Sequence, residues 1–407
     1  YLYDSKHDRE YLDFSGFDSS RVLSFDHEGL KDASFTEQLA RAAEYREPSG
    51  TLYTTRDAEF IERFAQGPLG EKFGHLFFAP SEAGAVDAAI KAAFSWKTRH
   101  NALHNRSEKA RKILHFRQGF HGLTGYGLSA TDSSDPRETA DFPVFDWPRV
   151  SNPKLRFPLD DASLAEVAEA ERQSVSEILL ALDRDPGEVA AILIEPIQGR
   201  GGDNYFRSEF LAELRTICDQ RDVLLIFDES ETGFGSTGQW WDWLNHDVCP
   251  DLLVFGKKAQ VCGVASTDRI DGVESVFSVP GRLGHSVFAS PVDRVRASRV
   301  IEVVECDGLL ENAQAMGGYL LKLILELAGV HSEIRNVRGR GLWTAFDLPS
   351  PGERDRMIDG CFVEQLLLLP GGTQTVRMRP TLDIDADSIA RAVAQAEAGL
   401  KRGYGRT

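Results

Sequence analysis

The stretch VLLIFDESETG at residues 223–233, followed by PDLLVFGKK at 250–258, decides the fold of this 407-residue chain. Each half is a short apolar run that gives way to polar residues, the first at Asp228 and the second just before Lys257. Runs of this length are typical of buried parallel strands. Because ligands bind beyond the carboxyl ends of parallel strands, we predict that Asp228 and Lys257 lie together at the functional edge of a sheet.

Similar apolar runs alternate with helical patterns in the middle of the chain. The segment AVDAAIKAAFSWKTRH at 85–100, for example, has apolar residues at helical spacing. This alternation predicts an α/β fold with a mostly parallel central sheet flanked by helices. The predicted strands are 76–79, 113–116, 189–194, 223–227 and 252–255. The residues that follow these strands, and are therefore candidates for chemistry, are Ser81, Glu82, Ala83, Phe120, His121, Glu195, Asp228, Glu231 and Lys257.

The character of the sequence changes after about residue 287. Two long helical patterns are followed by RNVRGRGLWTAFDL at 335–348, further short runs and a final helical pattern. This composition predicts a smaller α+β domain at 287–407, after a large domain at 31–286. Residues 1–30 are predicted to pack on the small domain, and the abrupt start at Tyr1 leads us to expect that residues precede it.

The composition argues against several kinds of partner. A formal net charge of -17, without a cluster of Lys and Arg, argues against binding to nucleic acid or to anionic membranes. No run approaches the roughly 18 apolar residues of a membrane span, so no membrane partner is predicted. Five cysteines without CxxC spacing predict a reduced, cytoplasmic protein, and no metal is predicted.

The combination of Asp228 with Lys257 points to a particular cofactor. A lysine amine can hold pyridoxal 5′-phosphate as a Schiff base and move protons at the substrate carbon. A carboxylate beside the pyridine nitrogen keeps the ring protonated, so that the ring accepts electrons. Taken singly, an Asp after a strand is more often a helix cap, and GKK is more often a solvated loop. The two residues together, at successive strand ends, favour the cofactor.

The hexapeptide GFGSTG at 233–238 offers a competing hypothesis, because it fits the GxGxxG pattern of dinucleotide-binding proteins. In that motif the glycines follow the strand at once and open a helix. Here residues 228–232 intervene, and WWDWLNHD follows at 240–247. The pyridoxal phosphate hypothesis explains this segment better.

Several stretches give the chain a family resemblance. They are AAIKAAFSWKTRHN at 88–101, FHG at 120–122, FDWPR at 145–149, EPIQGRGGDNYFR at 195–207, FGKKAQVCGV at 255–264 and RGRGL at 338–342. Over essentially its whole length the chain resembles the class III aminotransferases, which are pyridoxal phosphate enzymes of fold type I. FDWPR and GKKAQVCGV are characteristic of the lysine 6-aminotransferase subgroup within them.

The resemblance implies a role for each matching residue. It makes Lys257 the Schiff-base lysine and Asp228 the partner of the pyridine nitrogen. Arg377, in VRMRP, matches an arginine that binds a substrate carboxylate. Ser286 stands where the family uses a threonine to reach the phosphate held by the partner subunit, which implies a homodimer with sites at its interface. The further residues placed around the cofactor are Ser81, Glu82 and Ala83 in a phosphate-binding turn, Phe120 and Ser230 near the two ring faces, and His121, Glu195 and Glu231 beside them.

Departures from the subgroup fall on functional positions. A glutamate that covers the carboxylate-binding arginine is replaced by Arg200, and an arginine for the distal carboxylate of lysine is replaced by Leu123. We therefore expect Arg377 to be uncovered and to grip an α-carboxylate, which predicts an α-amino acid substrate. Glu231 replaces a glutamine, Ser230 a valine and Glu82 a glycine.

The two added carboxylates, Glu231 and Glu82, bring negative charge close to an anionic cofactor. We expect that one of them is protonated or paired with Arg200, or that a cationic substrate offsets them.

Three functions are compatible with these residues. The first is amino transfer from an α-amino acid, and the second is ordinary lysine 6-aminotransferase activity. The third is elimination, γ-replacement or carbon–carbon bond formation on the same cofactor, for example with a cationic amino acid such as S-adenosylmethionine. A protein that keeps the fold for interaction alone is disfavoured, because Lys257, Asp228 and Arg377 are all present.

Overall fold

A computed structural model describes residues 1–44, 54–284 and 290–405 of the protein. In chain order, strands β1 to β16 span Leu2–Asp4, Arg9–Asp13, His75–Ala79, Lys112–Phe116, Arg149–Val150, Val189–Ile194, Ile197–Gln198, Asn204–Tyr205, Leu224–Asp228, Leu252–Phe255, Cys262–Ser266, Arg335–Arg340, Trp343–Asp347, Leu366–Leu367, Leu369–Gly371 and Thr375–Met378. Segments α1 to α11 span Gly16–Ser19, Ala33–Ala43, Thr55–Phe64, Glu82–Leu103, Gly127–Ala130, Asp161–Arg184, Ser208–Gln220, Pro291–Cys306, Leu309–Val330, Pro351–Val363 and Ala386–Gly403. Of these, α1 is a left-handed turn, because Phe17 and Asp18 have φ of 50° and 59°.

The central sheet has the strand order β3-β11-β10-β9-β6-β4-β5. Its neighbouring pairs are parallel, except for the two that involve β11. The predicted strands are present as β3, β4, β6, β9 and β10, with ends within one residue of the prediction. The α/β fold with a mostly parallel sheet is therefore confirmed. Val254 of β10 is in register with Asp228 of β9, which brings the two functional strand ends together.

Strand β11 was not predicted from the sequence. It lies between β3 and β10 and runs antiparallel to both. The small residues of β11 allow it to lie close to both neighbours. At Gly263 a side chain would not fit, because its Cβ would lie 2.3 Å from the carbonyl oxygen of Phe77. β11 thus completes the sheet immediately after the Lys257 turn.

Helix α4 begins at the turn that follows β3. Ser81 is its N-cap, and the Ser81 hydroxyl accepts a hydrogen bond from the Gly84 N–H at 3.1 Å. The helix packs against β3, β6, β10 and β11. Small side chains allow this close approach, and those buried on α4 include Ala85, Ala88, Ala89, Ala92 and Ala93.

The C-terminal part has its own sheet, with the order β12-β13-β16-β15. The N-terminal segment joins it, because β2 pairs in parallel with β14 and Leu12 and Phe14 lie in the C-terminal apolar cluster. Helix α8, which the predicted boundary at 287 assigns to the small domain, buries Ala297 and Ile301 in an apolar cluster that also contains residues of β4, β6, β9 and β10. The domain limits themselves stay a prediction.

Helix α9 is long and apolar enough to cross a membrane by length and composition, with a mean hydropathy of 1.2. The sequence of α9 is not a continuous apolar run, and no membrane span was predicted from it. Core helices of soluble proteins pass the same test, and α9 buries Leu320, Ile324 and Leu327 in the C-terminal apolar cluster.

Candidate active site

Asp228 and Lys257 lie at adjacent strand ends, as the sequence predicts. Asp228 is the last residue of β9, and only Gly256 separates Lys257 from the end of β10. Lys257 opens a 3₁₀ turn, Lys257–Ala259, and has a φ of 45°, in the left-handed region. Non-glycine residues with such backbone angles cluster at functional sites. Both side chains line one cavity.

Asp228 is held by two neighbours. Its Oδ2 lies 2.9 Å from Nδ1 of His121, and its Oδ1 accepts a hydrogen bond from the Ser230 hydroxyl at 2.5 Å. The Asp228 side chain is buried, so these contacts fix its orientation. Ser230 also lines the cavity, and its hydroxyl is directed to the carboxylate.

Glu231 contacts two cationic residues, Lys257 and Arg377. Its Oε1 accepts a hydrogen bond from Nζ of Lys257 at 2.6 Å, and its Oε2 lies 3.3 Å from a guanidinium nitrogen of Arg377. Burial alone would raise the pKa of the Glu231 carboxyl, but the charges of Lys257 and Arg377 lower it well below its usual value. Burial would lower the pKa of Lys257, and the Glu231 charge reverses this and raises it. The two groups form an ion pair.

One expectation about these charges is wrong, and one of the alternatives given for the added carboxylates is not found. Arg377 is not uncovered, because Glu231 contacts it from the start of the loop that follows β9. Glu231 does not pair with Arg200. The Arg200 guanidinium instead contacts Glu138 at 2.8 Å and lies over the Phe120 ring, 4.0 Å from its centroid. The sequence places the charges but cannot show which pairs form, since Glu231 and Arg377 are 146 residues apart.

Glu195 organises the turn that carries Phe120. Its Oε2 accepts a hydrogen bond from the Phe120 N–H at 2.9 Å, and its Oε1 accepts one from the Gly199 N–H at 3.2 Å. Burial, with a smaller contribution from Asp228, raises the pKa of Glu195 well above its usual value. Phe120, His121 and Glu195 all line the cavity.

The turn before α4 meets the same cavity. Glu82 and Ala83 line it, and no described residue accepts a hydrogen bond from their backbone N–H groups. Free N–H groups at the start of a helix favour an anion such as phosphate. Burial raises the pKa of the Glu82 carboxyl, and the Lys257 charge opposes this shift. Glu82 is therefore the added carboxylate that is closer to being protonated.

The two remaining residues that the sequence singled out are Leu123 and Ser286. Leu123 is 38% exposed and lines neither cavity of the site. Ser286 lies outside the described residues.

A second cavity, of about 260 Å³, adjoins the first. The first is smaller, about 60 Å³, and the two share Phe120 and Arg200 in their walls. Arg377 lines the larger cavity, together with residues that the sequence did not single out: Gln118, Asp132, Ser133, Ser134, Asp135, Glu138, Gly201, Arg354, Pro370, Gly371 and Gly372. The serine and charged residues at 132–138 lie in one short segment. This polar segment is the pattern from which the wall of the larger cavity could have been predicted.

The second lysine of FGKK is directed away from the cavity. Nζ of Lys258 donates a hydrogen bond to the Ser236 hydroxyl at 2.5 Å, inside the GFGSTG loop. That loop follows the strand as a turn and opens no α-helix, so it is not a dinucleotide-binding motif. Burial, together with the charge of Arg379, lowers the pKa of Lys258 to about 7.

This buried amine predicts a pH dependence of stability. Between the folded pKa of about 7 and the unfolded value of 10.5, the unfolded chain binds a proton that the folded chain does not. The free energy of unfolding therefore rises with pH in this window. We expect the Tm of the wild-type protein, measured relative to the Tm of Lys258→Met, to increase between pH 7 and pH 10. If the difference in Tm between wild type and Lys258→Met stayed constant with pH, the predicted pH dependence would be contradicted.

The residues of the site fit pyridoxal 5′-phosphate. A lysine amine and a buried, oriented carboxylate face one cavity, and a helix start with free N–H groups meets the same space. These are the three groups that the aldehyde, the pyridine nitrogen and the phosphate of this cofactor require. Phe120, in the cavity wall, supplies an apolar ring surface.

The fold and the site together define a class of enzyme. The model of the aminotransferase class-III family matches residues 1–399. The chain belongs to this family, and it is an enzyme. Membership implies pyridoxal 5′-phosphate as the cofactor and a small amino acid as the substrate.

Several similar proteins share one name. The chain is 42% identical to the L-lysine-epsilon aminotransferase of Mycobacterium tuberculosis, over 98% of this chain and 89% of that protein. It is 36% identical to the enzyme of the same name from Streptomyces clavuligerus, over 97% of this chain and 86% of that protein. The solved structure of lysine aminotransferase from M. tuberculosis in the internal aldimine form matches with a TM-score of 0.94 and 40% identity, over 97% of this chain and 91% of that chain. These likenesses confirm the predicted resemblance to the lysine 6-aminotransferases, and they do not favour elimination, replacement or carbon–carbon bond formation.

Proposed function

We propose that the protein transfers the amino group of an amino acid with pyridoxal 5′-phosphate attached to Lys257. The observation that carries this proposal is the shared cavity of Lys257 and Asp228, with the start of α4 at its edge. When bound, the cofactor withdraws electrons from the substrate carbon. Lys257 would hold it covalently, Asp228 would pair with its pyridine nitrogen, and Glu82 and Ala83 N–H groups would bind its phosphate.

The contacts of Lys257 suit a proton-transfer role. The Lys257 amine is in contact with a carboxylate, Glu231, that can hold its charge when the amine carries a proton. His121 keeps the Asp228 carboxylate oriented beneath the same space.

The proposed substrate enters through the larger cavity and binds Arg377. Arg377 as a whole residue is 4% exposed, and its Nε donates a hydrogen bond to the carbonyl oxygen of Pro370 at 3.1 Å, which fixes the orientation of the guanidinium. A carboxylate bound to Arg377 would place the neighbouring α-amine toward Lys257, because Glu231 spans the distance between the two. An α-amino acid is therefore the proposed substrate.

Substitution of Arg377 tests the proposed substrate class. Arg377→Met is expected to raise the KM for an α-amino acid by roughly 10²-fold, since hydrogen bonds to charged groups contribute about 1.5–3 kcal/mol. Turnover of an amine that has no carboxylate should change little. Arg354→Met, at another arginine of the cavity wall, is the matched control. Equal increases in KM for both classes of substrate would contradict the role of Arg377.

Product analysis tests the reaction and its position on the substrate. Each amino acid consumed should yield one oxo acid and one newly aminated acceptor, measured by chromatography and mass spectrometry. An α-keto acid product is expected. Release of the ε-aldehyde from lysine would instead establish ordinary lysine 6-aminotransferase activity, and loss of ammonia or of a side-chain group without an aminated acceptor would establish elimination or replacement.

We further propose that the protein is a cytoplasmic homodimer. Phe142, Val144 and Phe145 lie in one short segment and are each more than half exposed. Apolar residues grouped in this way are favourable to bury against a second copy of the chain. Light scattering that gave the mass of one chain would contradict the dimer.

A further inference from the structure

We propose that Glu231 is an internal carboxylate that occupies Arg377 and must be displaced by the carboxylate of the substrate. Glu231 would thereby determine which substrates bind. This inference rests on the proposed function, because it takes Arg377 as the substrate-binding residue.

The two contacts of Glu231 are unequal. Its Oε1 lies 2.6 Å from Nζ of Lys257, whereas its Oε2 lies 3.3 Å from Arg377, beyond the ordinary distance of a charge-assisted hydrogen bond. The contact with Arg377 is therefore the weaker of the two. A substrate carboxylate can replace it, with two short hydrogen bonds in place of one long one, while Glu231 keeps its contact with Lys257.

Glycine at two positions makes room for this arrangement. A Cβ on Gly199 would lie 2.2 Å from Oε2 of Glu231, the oxygen that faces Arg377. A Cβ on Gly371 would lie 2.8 Å from Cδ of Arg377. The backbone thus leaves space for both side chains only because these residues have no side chain.

Arg200 does not compete for Glu231. Its guanidinium is bound by Glu138 and rests on Phe120, on the side of the larger cavity. Position 200, where the resemblance implies a covering glutamate, carries a cation in this chain. Glu231 brings a carboxylate to Arg377 from a different strand end. The same arginine is therefore covered, but by a group that also contacts the amine of Lys257.

This arrangement has a consequence for binding. A ligand with a carboxylate must compete with an ionised group already at Arg377, so its apparent affinity is reduced. A ligand without a carboxylate does not meet this competition. Removal of the Glu231 charge should therefore tighten the binding of carboxylates selectively.

Calorimetric titration with lactate tests this inference, because lactate carries a carboxylate and no amine. Glu231→Gln keeps the shape of the side chain and is expected to lower the Kd for lactate by about 10-fold, equivalent to about 1.4 kcal/mol. Gly199→Ala keeps the charge but leaves no room for Oε2 at its present position beside Arg377, and it should also tighten binding. Glu326→Gln, which removes an exposed carboxylate of α9 that lines neither cavity, should leave the Kd unchanged.

Unchanged lactate binding in both Glu231→Gln and Gly199→Ala, with wild-type Tm, would overturn the inference. If only one variant folds, that variant decides the result. In kinetics, the KM for an α-amino acid should fall in Glu231→Gln. Covalent trapping of the cofactor on Lys257 in the same samples separates the two proposals: trapping without tighter lactate binding refutes the role of Glu231 alone, and absence of trapping in wild type refutes the proposed function.

Discussion

Lys257→Met is expected to lose amino transfer by about 10⁴-fold, the upper range for removal of a positioned acid–base group. The Lys257 amine is the only Nζ that lines the smaller cavity among the described residues, and Met retains the length of the side chain without an amine. The variant should also lose covalent attachment of the cofactor. Turnover of an α-amino acid and the visible absorbance of the bound cofactor are the measurements.

The neighbouring residue provides the matched control. Lys258→Met removes an amine one residue away, but that amine is directed to Ser236. We expect this variant to keep cofactor attachment and a large part of its activity, while its Tm changes. Loss of attachment in Lys258→Met, with retention in Lys257→Met, would reverse the assignment of the two lysines.

Asp228→Asn is expected to reduce turnover by about 10³-fold, comparable to removal of one preorganised electrostatic group at a reaction centre. The Asn side chain fits the same space and can keep the contacts with His121 and Ser230, but it has no charge to hold the pyridine nitrogen protonated. Turnover and cofactor retention after dialysis are the measurements.

A control for this variant is Asp251→Asn. Asp251 is also buried, but it contacts the Leu225 N–H and Arg269 away from the cavity. Substitution there should lower Tm and leave turnover per folded molecule close to that of wild type. An effect on turnover as large as that of Asp228→Asn would show that charge burial, and not contact with the cofactor, is what matters.

The sequence predicted the parallel strands well, because each is a short apolar run bounded by polar or glycine residues. It missed β11, whose residues Cys262–Ser266 are small and do not form a continuous apolar run. The antiparallel insertion depends on the space that Gly263 leaves beside Phe77, which is a property of the packed sheet.

The sequence indicated which residues belong to the candidate site better than it indicated which of them contact each other. Asp228, Lys257 and Glu195 follow strands and could be found from that position alone. The contact between Glu231 and Arg377 joins the large sheet to β16, and no local pattern predicts it. The glycines in EPIQGRGG gave a signal of close approach, and Gly199 proves to be the residue that leaves room for Glu231.

The most direct test of the central claim is to identify the residue that holds the cofactor. The wild-type protein, saturated with pyridoxal 5′-phosphate, would be reduced with borohydride and digested, and the labelled peptide sequenced by mass spectrometry. The account predicts a single phosphopyridoxyl label on Lys257. A label on Lys258 or another lysine, or no label, would contradict it.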